Sequence, residues 1–89
     1  MSVYVDDMYK TQLGEFRGMK MSHMAADTHE ELIEMAKKIG LNLKWIQKEG
    51  TSHEHFDVAL GKRRLAVQCG AIETTMMELC QRAWSGYKK

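Results

Sequence analysis

The sequence predicts a single α/β domain spanning residues 1–89, a three- or four-stranded sheet packed with about three helices. Two observations carry that expectation. Short β-branched or aromatic runs alternate with amphipathic stretches, and the clearest of these stretches open on capping-box spacings. The chain has no proline and no repeat, and at 89 residues it can enclose one modest core but not separate catalytic and substrate-binding domains.

Val3-Tyr4-Val5 reads as a short buried strand that stops at Asp6-Asp7. Residues 8–18, with Gly14 and Gly18, read as a loop or irregular hairpin arm. Met19, Met21 and His23 alternate with Lys20 and Ser22, a period of two that predicts a second strand ending near Met24. Asp27-Thr28 before Glu30-Glu31 forms a capping box, Leu32, Ile33, Met35, Ala36 and Ile39 form an apolar stripe, and Gly40 supplies the stop of a helix. Leu43 to Gln47 is expected as a third strand, Lys48 to Ser52 as a polar loop, and His55 to Ala59 as a short strand or extended segment. Gly61 opens a second helix through Cys69, closed by Gly70, and Ala71-Ile72-Glu73 is the last strand. Thr75-Met76-Met77-Glu78 repeats the capping box for a third helix ending near Ser85-Gly86, and residues 86–89 form a frayed tail.

Composition excludes several classes. Thirteen Lys and Arg against twelve Asp and Glu leave a net charge of +1, so no global field draws the chain onto nucleic acid, and such a partner is not expected. No run reaches the roughly 18 apolar residues of a membrane span, and Asp6-Asp7 stand where a secretory signal would be apolar. The expected location is cytoplasmic. Cys69 and Cys80 lack zinc-site spacing and are expected as structural thiols on apolar helix faces.

The polar clusters carry the chemistry. His53, His55 and Asp57 stand at i, i+2, i+4, one face of an extended segment, and are candidate ligands for zinc, manganese or iron. The His-x-His-x-Asp spelling partly resembles the metallo-β-lactamase metal motif, which continues with a histidine where this chain has Val58. His23 and Asp27 flank an expected strand-to-helix junction, where His23 can act as acid, base or ligand donor, or simply bond a backbone carbonyl. Asp27 or Thr28 is needed as a helix cap in any case. Asp6 and Asp7, after the first strand, can bind a divalent ion or ribose hydroxyls, or serve as turn residues. Lys62, Arg63 and Arg64 sit in a helix's first turn, against its dipole, so an anion is expected there. The alternative is that Arg63 pairs with a carboxylate such as Asp57 or Glu73. Trp45 can stack on a base or sugar, although a Trp between Leu43 and Ile46 is more often core. If the strands pair in parallel, these clusters converge on one sheet edge, where open α/β sheets bind ligands.

From Val3-Tyr4-Val5-Asp6-Asp7, through Met21-Ser22-His23-Met24-Ala25-Ala26-Asp27-Thr28 with Glu30-Glu31-Leu32, to Trp45, His55-Phe56-Asp57, Lys62-Arg63 and Ala66-Val67-Gln68-Cys69-Gly70-Ala71, the chain resembles the domain-of-unknown-function 4031 family (DUF4031). These are short proteins of bacteria and their phages. Gly61 stands where the family pattern has a small capping residue such as serine, and Phe56 where it has tyrosine. The resemblance implies that Asp6, Asp7, His23, Asp27, Trp45, His55, Asp57, Lys62 and Arg63 belong to the family's pattern and His53 does not. It implies no activity.

The leading expectation is a small binding protein for a phosphorylated small molecule, a nucleotide first, working alone or as a homodimer. Lys62 and Arg63 would hold phosphate, Asp6 or Asp57 would read hydroxyls or base edges, and His23 and His55 would complete the hydrogen bonding. The family's distribution suggests phage-encoded sequestration of a nucleotide signal. The alternative is a metal-dependent phosphohydrolase or nuclease, with a divalent metal on Asp6, Asp57 and one or both histidines and His23 as acid or base. A second alternative is a protein–protein interaction module.

Overall fold

The computed structural model describes residues 2–51 and 53–81. Its strands are β1 (Val3–Val5), β2 (Glu15–Phe16), β3 (Met19–Ala26), β4 (Phe56–Ala59) and β5 (Ile72–Glu73), and its helices are α1 (His29–Lys38), α2 (Leu60–Gln68) and α3 (Met76–Leu79). The α/β class is as expected. The pairing, which the sequence pattern leaves open, is mixed, and this places the site away from a parallel-sheet edge. Among the described strands only β1 and β5 pair in parallel, whereas β3 is antiparallel to β1, β2 and β4. Between β1 and β3 the chain forms only short 3-10 turns at Met8–Lys10 and Gln12–Gly14 and the two-residue β2, with no helix to carry a parallel crossover.

Alternation along the strands sorts their side chains. Val3 and Val5, Met24 and Ala26, and Phe56 and Val58 face a core completed by Leu32, Met35, Ala36 and Ile39 of α1 and its C-cap, and by Ala66 of α2. Each fully buried Val, Leu, Met or Phe among them contributes roughly 1.5–3 kcal/mol. The intervening residues face the other side, where Leu79 of α3 covers Tyr4 and Ala25. His23, His55 and Asp57 alternate with Met24, Phe56 and Val58 along β3 and the run into β4, so they share the side away from α1 and α2.

The helix ends follow the sequence signals. Thr28 caps α1 by accepting from the Glu31 N–H at 3.2 Å, and its hydroxyl donates to Glu31 Oε1 at 2.9 Å. Gly40, at φ 78°, ends the helix, and the Leu41 N–H closes back on the Ala36 carbonyl at 2.9 Å. Thr75 caps α3 as its spacing predicts. The rest of that predicted helix, beyond Gln81, and the tail lie outside the described residues.

Other expectations are corrected. Leu43 to Gln47 is not a strand, because Asn42 Oδ1 accepts from the Lys44 N–H at 3.0 Å and turns Leu43–Trp45 into a 3-10 helix. Only Gln47 regains a bridge, to His55. Trp45 is not core but 63% exposed. Cys69 and Cys80 are exposed free thiols, since Cys69 falls at the C-cap of α2, past the turn that buries Ala66. Gly14 is demanded by packing, because a Cβ there would lie 2.7 Å from the Met21 carbonyl oxygen and closer still to that of Met8.

Candidate metal centre

The site begins with one backbone register. His23 donates its N–H to Asp6 Oδ1 at 2.8 Å and accepts at its carbonyl from the Asp6 N–H at 3.1 Å. Both backbone groups are therefore turned to the β1 side. His23 faces Asp57 of β4 as a non-hydrogen-bonded pair, the arrangement that brings opposed side chains closest. His55, two residues before Asp57, lies on the same face.

Each imidazole is oriented from behind. His23 Nδ1 lies 2.6 Å from Oδ2 of the fully buried Asp6, and His55 Nδ1 lies 2.7 Å from the His53 carbonyl oxygen. A carboxylate and a carbonyl only accept, so both rings carry their proton at Nδ1 and Nε2 is the nitrogen through which each would ligate. The rings meet edge to face at 4.9 Å between centroids. His55 Nε2 stands 3.6 Å from Asp57 Oδ1, too long for a hydrogen bond, and that oxygen is buried without a hydrogen-bond partner. Its sister Oδ2 accepts from Gln47 Nε2 at 2.7 Å. One donor atom each from His23, His55 and Asp57 falls within 4.8 Å of the others. Ligand atoms about 2.0–2.1 Å from a tetrahedral ion stand roughly 3.3 Å apart, so small side-chain rotations close the set.

Electrostatics separate the two histidines. Burial opposes charge on His23, but the hydrogen bond to Asp6 and the charges of Asp6 and Asp57 outweigh it and raise its pKa above the usual value. Burial lowers that of His55; the His53 carbonyl works against this shift, and the neighbouring His23 adds to it.

Beside the cluster runs a groove of about 620 Å³ whose walls include Met8, Met21, Trp45, Gln47 and Asp57. Asp57 thus belongs to both, and a ligand in the groove would reach the cluster past its carboxylate.

The remaining expected site residues lie elsewhere. Asp7 accepts from the Met76 N–H at 3.1 Å and ties α3 to the end of β1. Asp27 lies at the far end of the sheet, because antiparallel pairing sets the end of β3 against the start of β1, and there it accepts from the Ser2 N–H and the Tyr4 hydroxyl. Lys62 Nζ donates to the Ile39 carbonyl at 2.7 Å, capping α1. Buried Arg63 donates from Nε to the Asp6 carbonyl at 3.0 Å and from Nη1 to Glu73 at 2.9 Å, and it lies over the Tyr9 ring. His53 supplies a carbonyl rather than its ring, so the three-ligand set expected within one strand is replaced by one spanning two strands. Two residues here carried no expectation. Gln47 pairs with His55 through both backbone groups, at 2.8 and 3.0 Å, as well as orienting Asp57. Buried Glu54 holds the His29 ring at 3.0 Å and the Gly50 N–H at 3.2 Å.

Comparison with known proteins agrees with this residue pattern, since the model of the family described as "Protein of unknown function (DUF4031)" matches residues 3–85. The chain belongs to the DUF4031 family. No curated protein and no solved structure shows significant similarity to it. Among the described residues, no helix is long and apolar enough to cross a membrane.

Proposed function

We propose that this DUF4031 protein is a divalent-metal-dependent hydrolase, its ion held by His23, His55 and Asp57. The observation that carries the reading is the convergence of those donors, each imidazole turned by its own Nδ1 partner and Asp57 Oδ1 buried beside them without one. Two histidines and a carboxylate suit zinc, iron or manganese, and three protein ligands leave a position for water or substrate. An ion held by these three residues would supply a water of lowered pKa as a nucleophile near neutral pH. Phosphate esters are the first class to assay. Asp6 acts as a positioning residue, fixing the tautomer of His23.

A phosphate-anchored nucleotide binder draws less support, because the ammonium of Lys62 and the guanidinium of Arg63 are engaged within the fold.

The test is calorimetric titration of metal-stripped protein with Zn²⁺, Mn²⁺ and Co²⁺, followed by assay of the loaded protein on p-nitrophenyl phosphate and its diester. The expected result is one ion per chain, a Co²⁺ absorption spectrum of low-coordinate type, and loss of both binding and turnover in His23→Ala and Asp57→Ala. Failure of the folded wild type to bind any of these ions at micromolar concentration would overturn the proposal.

A further inference from the structure

The groove beside the cluster has a composition that the metal reading does not use. Trp45, Leu13 and Met19 are 63, 80 and 50% exposed, and all three line it. Its volume of about 620 Å³ is that of a small-molecule site, within the usual ~300–1,000 Å³. The charged side chains among its described lining residues are Glu15 and Asp57, both acidic; Lys20, which pairs with Glu15 across the hairpin, does not line it. Gln47 spends one of its two amide N–H donors on Asp57, and its amide oxygen, like the carboxylate of Glu15, is an acceptor.

We infer that the groove receives the flat ring of a nucleoside-sized molecule, stacked on Trp45 with an N–H-bearing edge toward Gln47 and Glu15, and that an anionic group on this ligand would be met by the ion on His23, His55 and Asp57. A tryptophan face with thioethers beside it suits an aromatic ring. Two acceptors select a ring edge that donates, as an exocyclic amine does. The acidic walls repel an extended polyanion, so the ligand carries at most one anionic group, placed at the ion. A nucleoside or its monophosphate fits this description; a nucleoside triphosphate or a nucleic-acid strand does not. The ring half of the inference stands on the groove alone, whereas the anionic half rests on the metal reading.

The experiment uses the full chain, metal-stripped and zinc-loaded, titrated calorimetrically with adenosine, adenosine monophosphate and adenosine triphosphate. Without metal, adenosine should bind most tightly and the triphosphate least. Zinc should tighten the monophosphate at least about tenfold and leave adenosine unchanged. Trp45→Ala should weaken adenosine about 5- to 150-fold, the worth of one base–aromatic stack, and Trp45→Phe should restore most of it. Glu15→Lys should strengthen the triphosphate roughly 3- to 30-fold. Triphosphate binding tighter than adenosine in the stripped protein would overturn the inference, as would unchanged adenosine binding in Trp45→Ala. So would a wild-type dimer that Trp45→Ala dissociates, because the groove would then be closed by a second copy. If zinc does not bind yet adenosine does, the metal reading and the anionic half fall together and the ring subsite survives.

Discussion

Replacing Asp6 by asparagine separates the positioning of His23 from the integrity of the fold. The carboxylate is fully buried and accepts three hydrogen bonds: the Met8 N–H at 3.1 Å and the His23 N–H at 2.8 Å on Oδ1, and His23 Nδ1 at 2.6 Å on Oδ2. Asparagine is isosteric, and its oxygen can keep both backbone bonds. Its NH₂ group then faces His23 Nδ1 as a donor, so the imidazole must accept there and carry its proton at Nε2, the nitrogen needed by the ion. A charge-assisted bond of roughly 1.5–3 kcal/mol is exchanged for a neutral one near 1 kcal/mol. The net cost of about 0.5–2 kcal/mol lowers Tm by roughly 2–16 °C for a domain of this size. Metal affinity should fall further than this modest loss suggests, by at least the 10- to 100-fold typical of outer-shell partners, because the tautomer itself is wrong. The assays are zinc competition against a chromophoric chelator and ¹⁵N imidazole NMR of the stripped protein. The His23 pKa should also drop, since the main influence raising it is gone. Unchanged zinc affinity in a folded Asp6→Asn protein, or Nδ1 still protonated in the neutral ring, would refute the reasoning.

Three further substitutions probe other parts of the design. Gln47→Leu removes the donor that holds Asp57 Oδ2 but keeps the backbone bridge to His55, so zinc affinity should fall about 10- to 100-fold while the Tm of stripped protein stays within a few degrees, as read by titration and calorimetry. Lys62→Met removes the cap on the Ile39 carbonyl and should cost about 0.5–1.5 kcal/mol in urea unfolding while leaving zinc and adenosine monophosphate binding intact; loss of monophosphate binding would instead place phosphate at this lysine. The hydrogen bond and charge of Glu54 raise the His29 pKa above 6.5. That contribution is fully present below the unfolded value of 6.5 and disappears as pH rises through the higher folded value. Denaturant midpoints of wild type and His29→Gln should therefore differ most below the unfolded value of 6.5 and converge as pH rises through the higher folded value.

The parts of this fold that were legible from sequence are those decided locally. Thr28, Glu31 and Gly40 announce both ends of α1, and the capping box at Thr75 announces the start of α3, because a cap and its partner lie within one turn. The end of β3 was misplaced because Ala25 and Ala26 look equally at home in a helix; pairing with Tyr4 and Val3 keeps them extended. The sequence places His23 at a strand end, whereas it lies within an eight-residue strand. The cations of Lys62 and Arg63 were legible as anomalous at a helix N-terminus. Glu73 was among the carboxylates the sequence offered Arg63, whereas the Ile39 and Asp6 carbonyls become partners only through the way α2 docks. Gln47 gave no signal, since an amide between Ile46 and Lys48 has no pattern of its own and acquires a role only when it bridges to His55.

Antiparallel pairing changes more than the location of the site. In a parallel sheet the convergent residues would come from loops beyond the strand ends. Here His23 and Asp57 are ladder partners, and the adjoining loops supply orientation through the His53 carbonyl and the Gln47 amide. The register does two jobs. By turning the backbone of His23 to Asp6, it selects the carboxylate that orients the imidazole, and by setting His23 opposite Asp57 without hydrogen bonds between them, it selects the carboxylate that shares the cluster. Because side chains alternate with a period of two, a slip of one residue would carry His23 to the side where Met24 is buried and bring Met24 to the cluster. The burial of Met24, Phe56 and Val58 against α1 and α2 therefore fixes the candidate centre as firmly as it fixes the core.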